Sequence, residues 1–228
     1  MSMHKKMATG LLLAMTLPLY TLASTALNTD AELQASPPST PQEGKEYITL
    51  TNPVASQPKV VEFFSFYCSP CHQFVDNYPV ADAINRFLPA DDAVVKYHVS
   101  TMGPLGKELT EAWAIAMVMG KTHLVEKPLF EAVQNRKLQN ITDIQTIFSQ
   151  AGIDTATYEQ ARQSLMVKGA IAQQNAAVVS FAVRGTPSFY VNGKYQINNA
   201  GIAAPTPQRY VNNFAEVVQT LLKNNIAI

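Results

Sequence analysis

The sequence predicts an α/β fold interrupted by an inserted all-helical domain. A β-α-β pattern lies early in the chain, a β-β-α pattern lies at its end, and the residues between, from Leu105 to Val183, keep helical periodicity. Two parts of one sheet separated by about 80 helical residues describe one domain with a second built into it.

Each element has its own signal. Glu46 to Leu50 reads as a first short strand, and Lys59 to Phe66 is long and apolar enough to be a central one. A helix follows at once: Pro70 fits a first turn, where its missing N–H is no loss, and Phe74, Val75, Tyr78, Ala81 and Ile84 keep helical spacing. Pro79 inside that run predicts a kink. Val94 to Val99 alternates as a strand. Three amphipathic stretches come next, marked by Leu109, Trp113 and Met117, by Leu129, Phe130 and Val133, and by Ile144, Ile147 and Phe148. Gly152 is a stop signal, and Asp154 is an N-cap for a helix expected to run through Tyr158 and Leu165. Ser188 to Val191, the turn Asn192-Gly193, and Lys194 to Ile197 read as a hairpin, and Gln208 to Leu222 closes the chain as a helix. The α/β domain is therefore expected at residues 45–103 and 180–228, with the helical domain at 104–179.

Residues 1–26 have the three parts of a secretory signal: His4-Lys5-Lys6, apolar Leu11 to Leu22, and small residues from Ala23 to Ala26. The apolar stretch, interrupted by Thr16 and Pro18, is shorter than the roughly 20 residues that span a bilayer. No cysteine near the expected cleavage region offers a lipid attachment point. Residues 27–44, rich in Ser, Pro, Thr and Gln, read as a linker. Cleavage removes two of the 17 basic residues and none of the 17 acidic ones, leaving a formal charge of −2. That balance argues against nucleic acid or an anionic membrane surface as partner.

The chain has two cysteines, in Cys68-Ser69-Pro70-Cys71. A close pair at the end of a buried strand, in an exported protein, points to thiol chemistry more than to a staple. A bridge closing so small a loop removes little unfolded-state entropy. Two thiolates are half of a zinc set, and His98 and His123 stand apart from each other and from the pair. Cys68-x-x-Cys71-His72 also matches the signature for covalent haem attachment, which leaves a haem or metal carrier as a remote alternative. At a helix start, free N–H groups and the positive dipole end favour a Cys68 thiolate.

Phe63-Phe64-Ser65-Phe66-Tyr67-Cys68-x-x-Cys71, Lys96-Tyr97-His98-Val99, Leu105-Gly106-Lys107, Ala112-Trp113-Ala114, Pro128-Leu129-Phe130, Arg184-Gly185-Thr186-Pro187 and Val191 to Gln196, in this order, resemble the DsbA family of periplasmic dithiol oxidases. The resemblance spans nearly the whole mature chain. It implies a thioredoxin fold with an inserted helical domain, donation of the Cys68–Cys71 disulfide to cysteine pairs of exported proteins, and reoxidation by an inner-membrane partner of the DsbB kind. It implies no cofactor and no metal. It also implies a cis bond before Pro187, with Thr186 and Pro187 presenting backbone to an extended substrate, and a buried proton-relaying acid at Glu62 with Lys96 beside it. Glu62 facing water on an edge strand is the competing reading. A monomer is expected, because residues 27–44 are too short for the dimerisation domain that isomerases of this fold carry.

The chain departs from the family pattern at three places. Ser69-Pro70 stands where the best-known members have Pro-His, so a charge near the thiolate is lost. Ser69 can still donate a hydrogen bond, Pro70 removes a helix-start N–H, and His72 either compensates in part or lies solvated on the helix surface. Thr186 replaces a common Val, adding a hydroxyl near the sulfurs. Val75 replaces an acid. These departures keep a disulfide reductase or isomerase as the alternative function.

Overall fold

A computed structural model describes residues 40–224. The expected signal peptide and residues 27–39 of the expected linker lie outside the described residues. The linker's end is already structured: the Gly44 N–H donates to the Tyr47 carbonyl at 2.8 Å, and the Gln42 N–H to the Glu46 carboxylate at 2.9 Å.

The strands are β1 (Tyr47–Thr49), β2 (Val60–Phe64), β3 (Val95–His98), β4 (Ser188–Val191) and β5 (Tyr195–Ile197). They form one sheet in the order β1-β5-β4-β2-β3, parallel only between β2 and β3. All five residues of β2 are buried, as expected of a strand covered on both faces. Val61 and Phe63 pack with Tyr97, Phe181 and Tyr190 on one side, while Val60 and Phe64 face the other. The hairpin turns through Asn192 and Gly193, both at positive φ, and a Cβ at 193 would collide with the Val54 carbonyl.

Two helices, α1 (Ser69–Asp76) and α2 (Val80–Asn85), separate β2 from β3. The kink expected at Pro79 is instead a full break. Proline offers no N–H and its ring crowds the preceding turn, so α1 ends at Asp76 and the chain restarts with Pro79 as the cap of α2. Between β3 and β4 come α3 (Gly106–Val118), α4 (Thr122–Gln134), α5 (Ile141–Gln150), α6 (Thr155–Gln163) and α7 (Leu165–Ser180), and α8 (Pro207–Lys223) closes the order. Asp154 caps α6 as expected, but that helix stops before Leu165. Ser164 adopts an extended conformation, and its hydroxyl accepts the Val167 N–H, starting α7.

The apolar residues of α3 to α6 do not form a core of their own. Leu109, Trp113, Leu129, Phe130, Phe148 and Tyr158 share one cluster with Phe64, Phe66 and both cysteines. The Trp113 indole N–H donates to the Lys96 carbonyl at 2.7 Å, tying α3 to β3.

His98, fully buried at the end of β3, pins the segment that follows β2. Thr110 gives its hydroxyl proton to the Gly106 carbonyl at 3.0 Å, so at 2.8 Å it accepts from His98 Nδ1–H. Nε2 then carries the lone pair and accepts the Phe66 N–H at 3.2 Å. Gln174 accepts the His98 backbone N–H at 2.9 Å. Burial pushes this imidazole down to about 3 from 6.5, so it is neutral at physiological pH. The unfolded chain binds the proton more tightly between those values, and stability is lost as pH falls through them. His98→Phe is expected to strand the Phe66 N–H, to lower stability by about 2–4 kcal/mol in urea unfolding at pH 7, and to flatten the acid limb of the stability profile.

Candidate active site

Cys68 and Cys71 form a disulfide at the junction of β2 and α1. Cys68 is the N-cap of α1: its backbone is extended, and its sulfur accepts the Cys71 N–H at 3.2 Å. Pro70 lies in the first turn, so it removes one helix-start donor that would otherwise face the sulfur. Cys71 is fully buried and Cys68 is 5% exposed, which makes Cys68 the more accessible of the two residues.

The Thr186–Pro187 bond is cis. Cys68 Sγ lies 3.3 Å from the Thr186 carbonyl oxygen. In the disulfide this is a contact, and a reduced Cys68 thiol can donate there. The Thr186 hydroxyl, expected near the sulfurs, is donated instead to Met102 Sδ at 3.5 Å. A groove of about 760 Å³ runs beside Pro187, lined among others by Ile48, Leu50, Phe181 and Tyr190.

Glu62 lies on the central strand and is 1% exposed, so the edge-strand reading fails. The β2–β3 register places it opposite Lys96, whose Nζ is 3.2 Å from Glu62 Oε2. Lys96 also pairs with Glu126 of α4. Burial pushes the Glu62 carboxyl up to about 7; Lys96 opposes that rise and Glu126 adds to it. Burial alone would lower the Lys96 ammonium, but the two carboxylates outweigh it and hold the pKa above the ordinary lysine range. A cleft of about 410 Å³, lined by Val75, Lys96, Trp113 and Glu126, opens this buried group towards solvent.

His72 is half-buried, and no hydrogen bond aims it at the sulfurs. Its ring stacks on Phe130, with centroids 5.3 Å apart and planes 10° from parallel. Nε2 lies 3.0 Å from Asp76 Oδ2 but out of line for a hydrogen bond. Lys127 reaches Asp76 at 2.7 Å and, with this bond as the largest influence, holds its carboxyl below the ordinary range.

Comparison with known proteins agrees with this geometry. The model of the DSBA-like thioredoxin domain matches residues 59–205. The chain belongs to that family. The thiol:disulfide interchange protein DsbA of Salmonella typhimurium is 45% identical over 181 residues, covering 79% of this chain and 87% of that protein. A crystal structure of DsbA from Klebsiella pneumoniae superposes with a TM-score of 0.79 at 45% identity, covering 81% of this chain and 99% of the other. A complex of a cysteine-to-serine variant of Proteus mirabilis DsbA with the non-covalently bound peptide PWATCDS superposes at 0.78, with 39% identity and coverage of 81% and 100%. A DsbA-type thioredoxin fold with an intervening helical segment, and thiol:disulfide oxidoreductase chemistry at Cys68–Cys71, follow for this chain.

Two residues escaped the sequence reading of this DsbA-type site. Glu126 completes the charge group around Lys96. Gln134, the last residue of α4, meets the active-site segment twice: it accepts the Ser69 hydroxyl and donates to the Phe66 carbonyl, both at 2.7 Å. Both lie at ordinary positions on a helix remote in sequence from the cysteines. The His72–Asp76 pair was within reach, because residues four apart share a helix face.

Glu62 gives a pH test. Its folded-state pKa lies above the value of 4.5 in an unfolded chain, so its contribution is fully present below 4.5 and is lost as pH rises through about 7. Glu62→Gln removes this ionisation. Relative to the variant, the wild-type protein is expected to lose up to about 3 kcal/mol between pH 5 and pH 8, read by urea unfolding across that range.

Proposed function

We propose that this protein is a periplasmic disulfide donor: it passes the Cys68–Cys71 bond to cysteine pairs of exported, folding proteins. The observation that carries the reading is the position of the Cys68 sulfur, capping α1 and accepting the Cys71 N–H beside the Thr186 carbonyl. A sulfur so placed is a good leaving group, because the charge it takes up meets an N–H and the positive end of a helix.

In the first step a substrate thiolate attacks Cys68 Sγ, a substrate–Cys68 disulfide forms, and the bond to Cys71 breaks. Cys71 takes the electron pair and then a proton. Glu62, whose carboxyl burial raises to a pKa of about 7, is the group assigned to supply that proton, and Lys96 steadies the carboxylate that remains. A second substrate thiolate then attacks the substrate's own sulfur and displaces Cys68 as a thiolate. Two electrons have moved from the substrate to the protein. Reoxidation returns them to an inner-membrane oxidase of the DsbB kind.

Thr186 and Pro187 offer the backbone edge on which an extended cysteine peptide lies, with the groove beside Pro187 taking its flanking side chains. The peptide in the Proteus mirabilis DsbA complex contains a cysteine, which supports cysteine-containing peptides as the substrate class. The protein acts as a monomer after removal of residues 1–26. No helix among the described residues is long and apolar enough to cross a membrane.

Two losses weaken the donor relative to Pro-His members: no charged side chain stands between the cysteines, and Pro70 supplies no N–H. The Cys68 pKa is therefore expected above that of Pro-His members, with a reduction potential lower than theirs but still above the glutathione pool. Equilibration in glutathione buffers, followed by Trp113 fluorescence and thiol trapping, measures the potential; Trp113 shares the apolar cluster with both cysteines. A potential at or below the glutathione pool would replace the donor reading with a reductase or isomerase. Cys68→Ala is expected to abolish exchange.

A further inference from the structure

We infer that Gln134 is a positioning residue that sets the stability of the Cys68 thiolate by withholding the Ser69 proton from it. This deepens the proposed function and rests on Cys68 being the thiol that leaves as a thiolate.

The argument starts from proton counting. The Phe66 carbonyl can only accept, so the Gln134 amide turns its NH2 towards it, at 2.7 Å. That orientation puts Oε1 at Ser69 Oγ, also at 2.7 Å, and Oε1 can only accept. The Ser69 hydroxyl must therefore donate, and it has one proton to give. While this bond stands, Ser69 cannot donate to its neighbour Cys68. Pro70 has no N–H, so the Cys71 N–H at 3.2 Å is the hydrogen bond to the sulfur from the first turn that the structure records.

The arrangement is held firmly at one end and loosely at the other. Phe66, which Gln134 grips by its carbonyl, is also gripped by its N–H through His98 and is fully buried. Ser69 is exposed, and only a hydroxyl rotation separates donation to Gln134 from donation elsewhere. Gln134 belongs to α4, so the helical segment reaches into the dipeptide that separates the two cysteines. It thereby fixes how much of that dipeptide's hydrogen-bonding capacity reaches the sulfur. Pro-His members have no hydroxyl at this position and no such proton to withhold.

The test is a double-mutant cycle read on thiol ionisation. In the purified, reduced protein, the pH dependence of alkylation is followed with peptide mapping, so that Cys68 and Cys71 titrate separately. Gln134→Leu frees the Ser69 hydroxyl and is expected to lower the Cys68 pKa by about one unit, since a donor to a charged acceptor is worth that much. The reduction potential should rise by about 30 mV, the equivalent of a tenfold change for a two-electron couple. Ser69→Ala should shift the Cys68 pKa by much less, and the double variant should match Ser69→Ala. A Gln134→Leu protein with an unchanged or raised Cys68 pKa overturns the inference. So does a Ser69→Ala protein whose Cys68 pKa rises by a unit, an arm that stands even if Gln134→Leu fails to fold, because Ser69 is exposed. If the mapping finds Cys71 to be the low-pKa thiol, the assignment of Cys68 fails first, and that result is distinct from either.

Discussion

The backbone of Phe66 is the point on which the site depends. Its N–H goes to a histidine held neutral by burial, and its carbonyl to a glutamine on α4. Both partners are side chains, so this segment leaves the sheet without an unsatisfied buried group. Two residues later Cys68 caps α1, in the extended conformation that an N-cap requires. If Phe66 shifted, the sulfur would lose both its place at the helix start and its contact with the Thr186 carbonyl. The apolar cluster that surrounds Phe66 comes largely from α3 to α6, so the helical segment works as one wall of the active site.

A second constraint comes from burying charge. Glu62 faces the side of β2 on which Phe64 packs with the cysteine cluster, and there a lone carboxylate would be expensive. The structure meets this with Lys96 on the adjacent strand and Glu126 on α4. One cation shared by two carboxylates leaves the group with more acid than it can neutralise. The deeper carboxyl keeps its proton up to about pH 7, while Glu126, which lines the cleft, shares Lys96 with it. The result is a buried acid that titrates near neutral pH, on the same face of β2 as Phe64, which packs in the cluster that holds the cysteines.

Much of this was legible from residues alone. The β2 run, the hairpin at Asn192-Gly193, the helical stretch and the Cys68–Cys71 pair each carry a local signal, and the family resemblance placed Glu62 beside Lys96 and made Thr186–Pro187 cis. What escaped were contacts between distant segments. Nothing in a periodicity marks Gln134 or Glu126, because their roles exist only once α4 lies against the start of α1 and the end of β3. The errors at Pro79 and Ser164 have another origin. Whether a proline or serine bends a helix or ends it depends on whether the neighbouring turns find packing on either side. In this chain α1 meets α4 while α2 packs mainly on α8, and α6 lies against α5 and α3 while α7 runs along α3 and β3, so two helices with a cap between them replace one bent one.

The departures from the family pattern change the kind of stabilisation as well as its amount. A histidine between the cysteines supports the thiolate as a charge, and only while protonated, so that support fades as pH rises through the imidazole range. The support recorded for Cys68 comes from a backbone N–H and a helix start, neither of which titrates. Such a thiolate gains less, but it gains the same amount across the neutral range. The group in this region with a pKa near neutrality is then Glu62, the acid that the proposed mechanism assigns to Cys71. In the mechanism proposed for this chain, leaving-group quality comes from the cap of α1 and proton supply from the centre of β2.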